Sequence, residues 1–153
     1  MEKIKFVDTI INKTIAELLN KQDHRTLVLW ATDCAEHVLP YFEEKDPKDN
    51  RPRKAIEAGR AWVRGEIAMS EARTAAFASH AAARDTNQAA ACASARAAGH
   101  AAATAHVASH AHAAADYAVT AAEAAGSLGE REWQYQRLME HLRPIVFPTQ
   151  SSN

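Results

Sequence analysis

Apolar side chains recur at helical spacing along almost the whole chain. The N-terminal segment repeats them every three or four residues, which predicts a short amphipathic helix through Val7, Ile11, Ile15 and Leu18. A second helix is predicted where an apolar face extends from Leu27 to Phe42. The later segments continue the same periodicity. The pattern therefore predicts an all-α fold, a single bundle of about six or seven helices.

Residues that start and stop helices divide this pattern into elements. Asp23 is a candidate N-cap for the second helix, because its carboxylate can accept from a free backbone N–H of the first turn. The charged run KDPKDNRP ends that helix, and Pro52 suits the first turn of a third, which Gly65 is expected to end. Ser70, followed by Glu71, is the expected cap of a fourth helix, which runs to about residue 84.

The alanine-rich part of the chain is expected to hold two or more further helical segments. Asn87 is a candidate cap for the next segment, and Gly99 is expected to end or bend it. The helix that contains Tyr117 is expected to continue to about Ala125, where Gly126 closes it.

A last helix completes the predicted domain. Ser127 and Glu130 have the spacing of a capping box, and Pro144 is expected to stop the helix. Its inward-facing residues are expected to be Trp133, Leu138 and Leu142. We predict one helical domain over residues 1–147 and a loose tail over residues 148–153.

Alanine supplies about half of the apolar residues. The chain has 35 alanines, of which 29 lie between Ala68 and Ala125, and only 32 residues of Val, Ile, Leu, Met, Phe and Trp together. Alanine favours helix and is depleted in sheets. Because small side chains shorten the distance between helix axes, we expect closely packed alanine-rich central helices inside larger flanking side chains.

Charge and hydropathy limit the classes of partner. Lys and Arg number 18 against 19 Asp and Glu, and no basic stripe indicates nucleic-acid binding. The nearly uncharged stretch 86–115 is too rich in Ala and His to favour a membrane span. Asp8 and Asn12 interrupt the only apolar stretch near the N-terminus, so we expect no signal peptide and a cytoplasmic protein.

Histidines are interleaved with the alanines. A small–small–His–small element occurs around His80, His100 and His110; either it is low-complexity drift or it marks points where helices cross. If the helix is unbroken, a polar stripe within an arc of about 120° is formed by Arg96, His100, His106, His110 and Tyr117.

This stripe has two interpretations. In the first it is a polar network that fixes helix register, in which Arg96 needs a carboxylate partner; the candidates are Asp33, Glu36 and Glu57. In the second it is part of a divalent metal site, because two pairs at i,i+4 spacing could supply four ligands: Asp33 with His37, and His106 with His110. No other cofactor is expected. His112 and Asp116 form a further i,i+4 pair, which we interpret as a surface hydrogen bond.

Catalysis has little support in the sequence. The chain has no glycine-rich phosphate loop, nucleophile elbow, His-Glu-x-x-His or paired cysteine motif. Cys34 and Cys92 are single thiols on apolar or alanine-rich faces, where a thiol is more often a small hydrophobe than a nucleophile. We therefore expect a protein that is not an enzyme.

Two further surfaces are candidates for binding another protein. The first is the polar face of the second helix, with Asp33, Glu36 and His37. The second combines Arg and Trp, which are enriched at interface hot spots, over residues 49–62: Arg51, Arg53, Glu57, Arg60 and Trp62. The alternative for this segment is a solvated helix face with Trp62 in the core.

Five stretches in a fixed order carry a family resemblance. They are WATDCAEHVLP at 30–40, DNRPRKAIEA at 49–58, RAW at 60–62, HAAAR at 80–84 and RAAGHAAATAHV at 96–107. Together they resemble the bacterial and archaeal putative immunity proteins, specifically the immunity-protein-five-like group, over about residues 26–125. The resemblance implies an all-helical protein that neutralises a partner toxin encoded nearby, and it identifies no functional residue.

The sequence therefore leaves three hypotheses of function. The first is a non-enzymatic protein that binds and neutralises a toxin or other protein partner, with one of the three surfaces above as the contact. The second is a helical scaffold that binds a divalent metal or small ligand at a histidine-lined cleft. The third is a structural protein that forms homo-oligomers through exposed alanine faces.

Overall fold

The structure is a computed structural model that describes residues 2–146, and the side chains of residues 3 and 5–142. All regular structure in this range is helical: α1 (Glu2–Leu19), α2 (His24–Glu43), α3 (Arg51–Val63), α4 (Met69–Asp85), α5 (Ala89–Ala103), α6 (His110–Ala124) and α7 (Glu130–Val146). The helices pack into one bundle, so the all-α prediction is confirmed. No helix in the described range has both the length and the hydropathy to cross a membrane. The tail predicted over residues 148–153 lies outside the described residues.

Several predicted helix ends are confirmed. The Asp23 carboxylate accepts from the backbone N–H of Thr26 at 2.7 Å, as an N-cap does. Pro52 lies in the first turn of α3. Gly65 and Gly126 follow α3 and α6 with φ of +76° and +82°, a backbone conformation that favours glycine.

Two predicted N-caps are wrong by one or two residues. Helix α4 follows Ala68 rather than Ser70, because the Glu71 carboxylate accepts from the Ala68 backbone N–H at 3.3 Å and fixes the helix start there. Helix α5 follows Gln88 rather than Asn87, and the Gln88 N–H donates to the Thr86 hydroxyl at 3.4 Å. Gly99 lies inside α5 and does not end it.

The ends predicted for the last helix are also corrected. The backbone N–H of Ser127 donates to the carbonyl of Ala122 at 2.8 Å, so Ser127 completes the end of α6 and does not cap α7. Helix α7 starts at Glu130. It continues through Pro144 to Val146, where the missing proline N–H costs only one backbone hydrogen bond near the helix end.

The polar stripe depended on an unbroken helix from Arg96 to Tyr117, but a turn at residues 104–109 divides this segment into α5 and α6. The His24 imidazole of α2 donates to the Thr104 carbonyl. That carbonyl therefore has a partner outside the helix at the point where α5 ends, and the chain reverses so that α6 packs against α5.

Helix α5 is at the centre of the bundle and packs against α2, α3, α4 and α6. Its buried residues are all Ala, Ser or Gly: Ala91, Ala93, Ser94, Ala95, Ala97, Ala98, Gly99, Ala101 and Ala102. The large buried side chains lie on flanking helices, among them Trp30, Phe42 and Leu138. Small residues on α5 thus permit helices to approach it from several sides.

Hydrogen bonds tie α7 to the bundle through one buried glutamine. The Trp30 indole donates to the Gln134 carbonyl at 2.9 Å, and the Gln134 side-chain amide donates to the Ala115 carbonyl at 2.8 Å. Arg131 donates to the Gln134 side-chain oxygen at 3.0 Å. These bonds set the register of α7 against α2 and α6.

We predict that Gly59→Ala destabilises the protein. An added Cβ would lie 2.9 Å from Cγ2 of Thr32, which is buried and holds its hydroxyl on the Val28 carbonyl. The overpacking cost should exceed the gain in helix propensity, so we expect a net loss of about 1 to 2 kcal/mol in the free energy of unfolding, measured by urea denaturation.

Thr32→Ser provides the control for this prediction, since it removes the clashing methyl and keeps the hydroxyl. The double variant should be less destabilised than the sum of the two single variants. Additive losses would show that the Thr32 methyl is not the cause.

Candidate functional site

Three histidines from three successive helices form a half-buried cluster, which we call the histidine cluster: His80 of α4, His100 of α5 and His110 of α6. The His80 and His100 rings meet edge to face with centroids 4.9 Å apart. The His100 and His110 centroids are 5.0 Å apart, and their Nδ1 atoms are 2.9 Å apart. One imidazole of this second pair donates and the other accepts, so the pair is not doubly protonated.

An arginine and a tyrosine extend the histidine cluster. Arg96 donates from Nη1 to Nδ1 of His80 at 3.0 Å, which requires His80 to be a neutral acceptor at that nitrogen. The Tyr117 ring stacks on His100 with centroids 5.2 Å apart and planes 9° apart. Tyr117 is partly exposed, so the cluster reaches the protein surface.

The environment of the cluster favours neutral imidazoles. Burial, assisted by the positive charge of Arg96, lowers the pKa of His80 to about 4. Burial and the neighbouring histidines lower the pKa of His100 to about 4, and burial also lowers the pKa of His110. At neutral pH the cluster is therefore an uncharged aromatic surface beside the Arg96 guanidinium.

Four of the five residues of the predicted polar stripe do lie together, but they come from two packed helices and not from one. Arg96 and His100 come from α5, whereas His110 and Tyr117 come from α6, which packs against it. His106 lies exposed in the turn between the helices and is not in the cluster. The prediction that Arg96 pairs with Asp33, Glu36 or Glu57 is wrong, because it bonds to the neutral ring of His80.

The polar face of α2 forms a separate network around one carboxylate. Asp33 accepts from Arg60 and Arg137, both at 2.9 Å, and from Nε2 of His141 at 2.6 Å. Glu36 accepts from the same Arg60 guanidinium at 2.9 and 3.0 Å. Burial opposes ionisation of Asp33, but the hydrogen bonds from His141 and Arg137 outweigh it and lower the pKa of its carboxyl. This network ties α2 to α3 and α7.

His37, the third predicted residue on this face, also contacts α7. Its Nδ1 donates to the Glu130 carboxylate at 2.7 Å. Its ring stacks on Trp133 with centroids 3.7 Å apart and planes 2° apart. His37 therefore helps to hold α7 in place and shares a shallow cleft with Asp33.

The side chains of residues 49–62 mainly form ion pairs and packing contacts within the protein. Arg51 pairs with Asp49 and Asp85, and Arg53 pairs with Glu43. The Trp62 ring lies 5.2 Å from the His24 ring and packs on a buried cluster of Val28, Ala72 and Ala105. Glu57 is exposed on α3.

The four residues considered as metal ligands are not assembled into one site. Asp33 and His37 lie in the α2 network, His110 is in the histidine cluster, and His106 is exposed. In the described part of the chain, no three His, Cys, Asp or Glu side chains are placed to hold a metal ion. His112 donates to Asn12 at 2.7 Å and lies 3.7 Å from Asp116, so its shorter contact is with α1.

Sequence reasoning missed the contribution of α7 to the polar network. Glu130, Arg137 and His141 recur at three- to four-residue multiples and so lie along one side of that helix, toward α2. This spacing is visible in the sequence, but the resemblance to known proteins ended near residue 125. The sequence places His80 in a repeated element and in a stretch that carries the family resemblance, but its position beside His100 depends on the crossing of α4 and α5.

We predict that Asp33→Asn lowers the free energy of unfolding by about 2 kcal/mol near neutral pH, because it leaves the guanidinium of Arg60 and that of Arg137 without their shared carboxylate. The folded-state pKa of Asp33 is lowered, so this stabilisation is full above the ordinary value of 3.8 and is lost as the pH falls toward the folded-state value. Chemical denaturation of both proteins across this pH range measures it.

The matched control is Glu66→Gln, which removes the carboxylate of an exposed ion pair with Arg64. It should leave the stability unchanged within error, since exposed pairs contribute little. An equal loss in both variants would contradict a special role for Asp33.

The histidine cluster predicts a second pH dependence. The pKa values of His80 and His100 are about 4 in the folded chain against an ordinary 6.5, so the unfolded chain binds more protons between these values. The contribution of these two histidines to the free energy of unfolding is therefore fully present above pH 6.5 and is lost as the pH falls from 6.5 toward 4. Urea denaturation should show a shallower decrease in His100→Phe, which keeps a ring beside Tyr117 but cannot be protonated.

Thr120→Val, at an exposed position on α6, serves as the control and should retain the pH dependence of the unchanged protein. If His100→Phe showed the same pH dependence as well, His100 would not contribute to it.

Comparison with known proteins identifies the family. No curated protein and no solved structure matches the chain. The model of the Imm-5 like putative immunity protein family matches residues 17–141. The match therefore includes α2 to α6, with the whole histidine cluster and its Arg96 and Tyr117 neighbours, and most of α7. Since it covers well over half of the sequence, the chain belongs to the Imm-5 like putative immunity protein family.

Proposed function

We propose that this chain is an immunity protein that binds a toxin protein and neutralises it by covering its functional surface, without catalysis. Family membership supports a protein partner of this kind.

One observation supports the histidine cluster as the contact surface. The other two candidate surfaces use their charges internally, as Arg60 does with Asp33 and Arg53 does with Glu43. Arg96 instead bonds to a neutral imidazole, forms no ion pair with any described carboxylate, and lies in the same cluster as a partly exposed tyrosine. Arg and Tyr are enriched at interface hot spots, and an uncompensated charge there can pair with a partner.

The arrangement of the cluster supports binding rather than catalysis. The cluster histidines contact each other, Arg96 and Tyr117, an arrangement that offers neither a thiol nor a carboxylate partner to make a nucleophile and base. The Cys34 thiol is fully buried, and burial raises its pKa well above the ordinary value, which disfavours the reactive thiolate.

The test is co-expression with each candidate toxin domain encoded near this gene. Cells that produce the toxin should grow only when this chain is also produced, and an unrelated helical protein at the same level should give no protection.

An assay with purified toxin and purified chain distinguishes neutralisation by binding from neutralisation by catalysis. Toxin activity should fall in proportion to added chain and reach its minimum near equimolar amounts, because each toxin molecule needs one bound chain. Absence of protection and of binding would refute the proposal. If an amount of chain far below that of the toxin inactivated all of the toxin, the non-enzymatic mechanism would be refuted.

A further inference from the structure

We propose that the histidine cluster is the centre of a larger basic and aromatic surface, which includes Arg73, Phe77 and Arg84 of α4 and binds a carboxylate-rich patch of the partner protein. This inference rests on the proposed function and specifies the chemistry of the partner. Below we call the whole set the α4–α6 surface: Arg73, Phe77, His80, Arg84, Arg96, His100, His110 and Tyr117.

The α4 residues of this surface lie in one row. At 100° per residue, Arg73, Phe77, His80 and Arg84 fall within an arc of about 60°. The Arg73 guanidinium lies over the Phe77 ring, 5.3 Å from its centroid, and Phe77 is 59% exposed. Arg84 is close enough to His80 to contribute to the lowering of its pKa. The row therefore leads directly into the histidine cluster.

The positive charges of this surface have no carboxylate partner among the side chains that the structure describes. Other arginines pair with carboxylates, as Arg51, Arg64 and Arg131 do with Asp49, Glu66 and Asp116. Among the described side chains, no carboxylate lies within salt-bridge distance of the three surface arginines: Arg73, Arg84 and Arg96. The neutral histidines between them add no negative charge.

The carboxylates of α4 and α6 are directed away from this surface. Asp85 pairs with Arg51 of α3, and Asp116 pairs with Arg131 of α7. The Glu71 carboxylate accepts from the Ala68 backbone N–H. Glu123 lies about 120° around α6 from Tyr117 by helix geometry. The surface is therefore positive although the formal net charge of the chain is −1.

The spacing of the charges and the aromatic residues between them favour an acidic protein over a nucleic acid. The chain has no lysine after Lys54, so the positive groups on α4–α6 are guanidinium groups, whose paired N–H donors match carboxylates and phosphates alike. Three separated charges around neutral rings do not form the continuous basic track that a phosphate backbone needs. Exposed Phe77 and partly exposed Tyr117 supply apolar contact area between the charges, as at protein interfaces.

The experiment compares two probes on the full chain: a fluorescein-labelled poly-glutamate peptide, and an oligothymidylate of equal charge. Fluorescence anisotropy at low ionic strength measures each dissociation constant. The peptide should bind, and the double variant Arg73→Gln/Arg84→Gln should weaken it by about five-fold or more. Both positions are exposed, so thermal denaturation should show a folded double variant.

The matched control is Arg64→Gln, which removes an exposed arginine outside this surface and should change peptide binding by less than about two-fold. Loss of affinity in the double variant alone supports the proposal. Equal effects in both variants, or peptide binding too weak to measure, overturn it. Preferential binding of the oligothymidylate assigns the surface to nucleic acid and also overturns it.

The two proposals fail in different ways. If co-expression shows protection while the double variant binds the peptide and protects as well as the unchanged chain, the acidic-partner inference is wrong and the proposed function stands. If the peptide binds at this surface but the neighbouring toxin is not neutralised, the surface assignment stands and the proposed function is wrong.

Discussion

The close approach of four helices to α5 is the constraint on which the rest of the structure depends. Its buried positions are occupied only by Ala, Ser and Gly, so α2, α3, α4 and α6 can all pack against one short helix. Each methyl group buries little area, so stability here comes from many close contacts, supplemented by large side chains such as Trp30 and Phe42 on the flanking helices.

The same constraint explains where polar groups are found. On α4 and α5 the buried polar side chains are serine hydroxyls that bond to a neighbouring backbone, as Ser79 does to Ala95 and Ser94 does to Val38. Imidazole rings lie where α4, α5 and α6 reach the surface. Gly99 shows how tight this edge is, since a Cβ there would lie 2.7 Å from the His80 ring. The histidine cluster is thus held in shape by the packing beneath it.

Local sequence signals were sufficient for the fold and insufficient for the site. Helical periodicity and alanine content predicted an all-α bundle, and Asp23 and Gly126 marked helix ends through contacts within a few residues. The failures involve distant partners. The break after Ala103 coincides with the capture of the Thr104 carbonyl by His24, eighty residues away. Arg96 bonds to His80 because two helices cross, whereas the need of a buried guanidinium for charge compensation had suggested a carboxylate partner.

Because some arginines form ion pairs and others do not, the molecule also has an electric dipole. Because the formal net charge is −1 and the three arginines of the α4–α6 surface have no carboxylate partner among the described side chains, the rest of the chain carries a larger net negative charge than the molecule as a whole. Such a dipole exerts a torque on an approaching charged protein before contact, so that a larger fraction of encounters begin in a productive orientation. If the partner carries a carboxylate-rich patch, as we propose, this steering would let a nearly neutral chain associate rapidly through one face.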